Sequence, residues 1–138
     1  MFHVKKNASQ TIVFNKSIKV TWQYPPVFDP DGAFDFTNHR FRPLLAGKYL
    51  IHARVEIKRG EDNLFDFNLA IRRNLYPYAG EFGLLEQITN NESDSITSLI
   101  DLNGIDDYVE LWVYTDSTGT VRPTVEANSW FTGYRVGS

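Results

Sequence analysis

Three groups of residues in this chain have side chains that could do chemistry. The segment Asn74-Leu-Tyr-Pro-Tyr-Ala-Gly-Glu-Phe82-Gly carries Tyr76, Tyr78 and Phe82 around a Pro and two Gly. Tyrosine joins apolar area to a hydroxyl, so an irregular loop of this kind suits stacking on a sugar or anchoring a protein partner. The same aromatics could instead cover one end of the fold or join a subunit interface. The pairs Asp29/Asp31, Glu92/Asp94 and Asp106/Asp107 place hard oxygen ligands in turns, the chemistry that calcium prefers. None has the spacing of a dedicated calcium loop. Asp106 and Asp107 are the calcium candidates, set against the simpler expectation of solvated turn acids and no metal or cofactor. The three histidines, His3, His39 and His52, belong to no His-x-x-x-His helix. No Gly-x-Ser-x-Gly elbow or glycine-rich phosphate loop occurs either. His52 reads as a surface or interface residue, and His39 as a solvated loop residue. Nothing selects a carboxylate pair for glycoside cleavage. No enzyme is expected.

The elements that would position these groups are strands. Ile18, Val20, Trp22 and Tyr24 alternate with polar residues, as do Tyr49, Ile51, Ala53, Val55 and Ile57, and then Phe67, Leu69 and Ile71. Ile96 to Leu102 and Asn128 to Val136 read as further strands. Pro25-Pro26, Asp29-Pro-Asp-Gly32, Asn90-Asn91, Asn103-Gly104 and Asp116-Ser-Thr-Gly119 supply turns between them. Many short strands split by such turns indicate an antiparallel sandwich or barrel. The stretch Asp107-Tyr-Val-Glu-Leu-Trp-Val113 is the most telling. Val109, Leu111 and Val113 make one apolar row, while Tyr108, Glu110, Trp112 and Tyr114 make the other. A mostly aromatic second row would be costly to leave in water, so Tyr108, Trp112 and Tyr114 are expected at a subunit interface. A long loop of the same subunit could cover them instead.

Composition narrows the function classes. A chain of 138 residues with 42% hydrophobic and 22% charged residues fits one globular domain spanning 1–138, and Met1 reads as the start of a complete chain. A net charge of −3 argues against general nucleic-acid binding. The absence of cysteine excludes disulfides and thiolate chemistry. No apolar run reaches the ~20 residues of a membrane span, and residues 1–20 lack the apolar core of a signal peptide. No membrane insertion is expected.

Taken in order, these features resemble the C1q-like globular head of the tumour-necrosis-factor-like jelly-roll superfamily. Asp29, Phe34, Phe41, Gly47 and Tyr49 fall at the family's spacings, with Pro43 and Ala46 also matching. Phe67-Asn-Leu-Ala-Ile-Arg-Arg-Asn74, the Ser-rich Ser93 to Leu102, Asp107-Tyr-Val-Glu-Leu and Ser129-Trp-Phe-Thr-Gly-Tyr134 follow. The match runs from Thr11 to Val136. It departs at Gln23, where the pattern has an aromatic, and at Asp106, where it has Gly.

The resemblance implies an all-β, ten-stranded antiparallel jelly-roll sandwich that forms a trimer, and some relatives carry calcium near the threefold axis. The resulting expectation is a non-enzymatic homotrimeric recognition module that binds a glycan or protein receptor. Without a signal peptide, collagen stem or cysteine, it is expected on a virion or extracellular appendage, such as a phage tail or fibre. The alternative is a structural virion protein, a capsid or tail decoration trimer that binds other virion proteins and no external ligand.

Overall fold

The computed structural model describes residues 1–58, 66–74, 76–80, 85–86, 91–116 and 121–138, with backbone alone for 66, 67, 76–80, 85, 86, 91, 92 and 116. Every regular element described is a β-strand, and all pairings are antiparallel. In chain order the strands are β1 (Phe2–Lys5), β2 (Gln10–Thr11), β3 (Ile18–Lys19), β4 (Phe34–Asp35), β5 (Arg40–Phe41), β6 (Gly47–Lys58) and β7 (Asp66–Arg73). Then come β8 (Tyr76–Gly80), β9 (Leu85–Glu86), β10 (Asn91–Leu102), β11 (Val109–Asp116), β12 (Thr124–Val125) and β13 (Trp130–Gly137). The first sheet runs β1-β13-β6-β12-β2, with β10 on the other side of β6. The second runs β4-β5-β11-β7-β8, with β3 on β11 and β9 on β7. The strand expected over Ile18–Tyr24 shortens to β3, because Thr21, Trp22 and Gln23 turn their backbone N–H groups to other partners.

The strand β6 sets the geometry of the first sheet. Its alternation sends Tyr49, Ile51, Ala53, Val55 and Ile57 inward, each 3% exposed or less, and Leu50, His52, Arg54 and Glu56 outward. Opposite it, β11 and β7 send Val109, Leu111, Val113, Leu69 and Ile71 into the same core. The scattered motif residues meet there. Phe2 stacks on Phe41 at 4.2 Å and meets the Phe131 ring edge-on at 5.0 Å, while Trp22 lies 5.7 Å from Phe131. Tyr49 is buried and donates its hydroxyl to the Leu45 carbonyl at 2.6 Å. A side chain at Gly133 would meet Ile51 and Phe2, at 2.6 and 2.8 Å from the added Cβ, so the strand can cross this packed spot only as glycine. Ser129 is fully buried where β6 changes partner from β13 to β12. Its hydroxyl accepts the Glu56 N–H at 2.9 Å, filling the gap in the ladder.

Lys6 is buried beside this core, 1% exposed. Its ammonium donates to the Thr21 carbonyl at 2.6 Å and to Gln10 Oε1 at 2.9 Å, and lies 5.8 Å from the Trp22 ring centroid. Burial still lowers its pKa from 10.5 to about 8. The folded chain therefore loses this proton before the unfolded chain does, and stability from this site rises between those two pH values. Denaturant titrations should show the protein gaining stability relative to Lys6→Met as pH climbs from 8 to 10. A difference that stays constant with pH would refute the assignment.

Candidate functional site

Two faces of the sandwich point away from the core, and they differ in what covers them. On the second sheet, β11 presents Glu110, Trp112 and Tyr114 outward, as its alternation requires, and Tyr108 precedes it in the same phase. The aromatic row is not bare. The Arg72 guanidinium lies 4.0 Å from the Trp112 ring centroid, and Arg40 lies 3.8 Å from that of Tyr108. Glu110 joins the two, although it is only 4% exposed. Its Oε2 pairs with Arg40 Nη2 at 2.9 Å and Lys19 Nζ at 3.2 Å, and its Oε1 accepts the Trp112 indole N–H at 3.0 Å. Tyr108, Trp112 and Tyr114 are all part-buried within one subunit. Nothing in the alternation foretold this cover, because Arg72 sits on β7 and Arg40 on β5. An outward arginine one strand away from an aromatic was the available signal.

The outward face of the first sheet is barer. Register aligns Tyr134, Leu50 and Leu99 in one cross-strand row, with Leu99 52% and Tyr134 43% exposed. The next row is His3, Thr132, His52 and Thr97, and beyond it lie Lys5, Trp130, Arg54 and Ser95. Trp130 stacks on His52 at 4.9 Å and meets His3 at 5.9 Å. His52 Nδ1 shares a hydrogen bond with Thr97 Oγ1 at 2.9 Å. Burial, and next the charge of Lys5, holds the His3 pKa below the ordinary histidine value.

His39 is not the solvated loop residue expected. It sits at φ 55° between β4 and β5, and its Nδ1 accepts the Trp22 backbone N–H at 2.9 Å. Burial, then Lys19 and Lys6, lowers its pKa. The expected aromatic loop is partly strand. Tyr76 to Gly80 form β8 against β7, with a bulge at Tyr78 where the pairing passes from Arg72↔Pro77 to Ile71↔Ala79. Phe82 and the side chains of Tyr76 and Tyr78 lie outside the described residues.

The carboxylates of Asp106 and Asp107 face N–H donors. Asp107 accepts from the Asn103 backbone N–H at 2.9 Å and Asn74 Nδ2 at 3.0 Å, and Asp106 from Asn103 Nδ2 at 2.7 Å. Among the described residues, no three His, Cys, Asp or Glu gather as a metal site. A concavity of about 440 Å³ opens beside Phe41, Leu44, Leu45 and Tyr49, with Asp31 and Arg135 among its polar walls.

No family model and no curated protein matches the sequence. Among solved structures, the globular domain of zebrafish complement 1qA protein is similar at TM-score 0.65 and 17% identity, covering 98% of this chain and 95% of that one. Eiger TNF from S. frugiperda is similar at TM-score 0.61 and 14% identity, covering 99% and 92%. The fold is therefore the jelly roll shared by C1q-like and tumour-necrosis-factor-like domains.

Removing Glu110 would strand Arg40 and Lys19 beside each other and orphan the Trp112 N–H. Breaking such a cluster by deleting one partner costs about 3 kcal/mol, at the low end for buried pairs because Arg40 and Lys19 are a quarter exposed. Glu110→Ala should show that loss in urea titration, and Glu110→Gln a smaller one. Equal stability of all three proteins would show that the cluster contributes nothing.

Proposed function

We propose that this chain is a non-enzymatic recognition domain that works as a homotrimer. The observation that carries this reading is the Tyr134–Leu50–Leu99 row, apolar area on the sheet in which Leu99 and Tyr134 stand exposed. A closed threefold ring would bury three such rows together without leaving a sticky end, and the jelly-roll fold supports the arrangement. The row Tyr108, Trp112, Tyr114 would be the interface if the second sheet faced inward. The first sheet is favoured because Arg40 and Arg72 already cover the Tyr108 and Trp112 rings.

With the first sheet inward, the second faces outward, and its edge strand β8 brings Tyr76 and Tyr78 to the periphery. These tyrosines, with Phe82, are the residues we assign to a glycan or protein receptor. Three weak contacts on one trimer would act together, since the second and third become intramolecular. A cysteine-free chain fits a phage or bacterial appendage, such as a tail or fibre. Any calcium would be held by Asp106 and Asp107 in the turn before β11.

Light scattering on the wild-type protein should give three times the 15.9 kDa subunit mass. Leu99→Asp should give single subunits with an unchanged β-sheet spectrum. A wild-type mass of one subunit at tens of micromolar would sink the trimer. On a glycan array and on host cells, Tyr76→Ala/Tyr78→Ala trimers should lose the binding that wild-type trimers show. Unchanged binding would move the receptor site elsewhere, and no wild-type binding at all would favour a purely structural virion trimer.

A further inference from the structure

The face assigned to the trimer contact has histidine at its centre. His3 and His52 flank Trp130 on the outward side of the first sheet, one on β1 and one on β6. They belong to one cross-strand row, His3–Thr132–His52–Thr97, which lies directly beside the apolar row Tyr134–Leu50–Leu99. Any contact that buries Leu50 and Leu99 must bring this second row into or against the interface.

The charges around the pair share one sign. From β1, Lys5 projects on the same face; from β6, Arg54 does, two residues from His52. From β13, the outward residues nearest the pair are Trp130, Thr132 and Tyr134, and Arg135 is turned to the Ala46 carbonyl. From β10, Ser95, Thr97 and Leu99 face the same way. The segment pairing with His3 contributes Val27 and Phe28, and the nearby Asp29 carboxylate is held by the Ala33 and Phe34 N–H groups. Among the described residues, the carboxylates on this face are Glu56, Asp101 and Glu126, all at least four residues along β6 from His52. Glu56 accepts from Asn128, and Asp101 is paired at 2.9 Å with Lys48. No carboxylate lies in the histidine row or in the rows on either side of it. A proton arriving on His3 or His52 would therefore meet cations and apolar groups.

We infer that His3 and His52 form an acid-sensitive release in the subunit contact: neutral, they pack with Trp130 inside the trimer, and protonated, they drive the subunits apart. This inference rests on the trimer reading proposed above. In a contact that excludes water, an imidazolium without a carboxylate partner is disfavoured, and like charges brought together across a symmetric interface are costly. Histidine is the side chain whose charge changes between pH 5 and 8. The free subunit can hold the same proton in water without that cost. The lowered pKa of His3 in the single subunit runs in the same sense, because partial burial already disfavours its charged form.

The test is the mass of the wild-type protein at pH 7.5 and pH 5.0, with a near-ultraviolet circular dichroism spectrum at each pH. The expected result is a trimer at pH 7.5 and a folded 15.9 kDa subunit at pH 5.0. Across that range the dissociation constant should rise by about a hundredfold or more, as like-charge contacts in an interface require. In His3→Gln/His52→Gln the pH profile should flatten, with the mass at pH 5.0 equal to that at pH 7.5. A wild-type trimer at both pH values overturns the inference and leaves the trimer standing. Single subunits at both pH values overturn the trimer itself. His39 is a separate acid-sensitive group, since protonating Nδ1 removes the acceptor of the Trp22 N–H. If the wild-type fold melts at pH 5.0, the double variant decides the matter. Melting that persists there assigns the sensitivity to His39 and refutes the inference, whereas a native trimer there upholds it.

Discussion

The parity of β6 is the constraint on which the rest depends. It is a twelve-residue strand paired along its full length to β10 on one side and to β13 and then β12 on the other. Its odd positions fill the core and its even positions make the outer face. A slip of one residue would put Leu50, His52 and Arg54 inside and Ile51, Ala53 and Val55 in water. Apolar burial thus holds the register, and the register places the histidine and aliphatic rows side by side on the exterior. Packing and surface chemistry are two readings of the same alternation.

The two outer faces show how differently aromatic residues can be accommodated. On the second sheet the Tyr108 and Trp112 rings are covered within the subunit by guanidinium groups, and the buried Glu110 carboxylate ties Arg40 in place. On the first sheet the ring of Trp130 meets imidazoles, and in the apolar row Leu99 is half exposed while Leu50 is part-buried. Permanent charge covers part of one surface; the other keeps exposed apolar side chains.

Much of the fold was legible in the chain. Period-two runs located β6, β7 and β11, because each has a mostly apolar side that only a core could use, while β13 read as a strand on weaker alternation. The spaced motif residues Phe34, Phe41, Tyr49 and Phe131 read as a pattern whose cause, a shared aromatic cluster around Phe2, needed coordinates. The site was less legible, for a physical reason. Whether Trp112 is bare depends on Arg72, forty residues away in sequence but beside it across the β7–β11 ladder. His39 was misjudged for the same reason, since its partner Trp22 comes from a distant segment. Tyr76 and Tyr78 read as loop residues because Pro77 breaks the strand pattern, yet an edge strand tolerates a proline with its missing N–H turned outward.

The margin of the first sheet at β1 is closed. His3 exchanges backbone hydrogen bonds with the chain at Val27 and Phe28, donating to the Phe28 carbonyl at 2.7 Å and accepting from Val27 N–H at 2.9 Å. The peptide groups that a stranger's strand would need there are already taken. Sideways growth into a continuous ribbon is blocked at this border, and copies of the molecule can approach here only broadside.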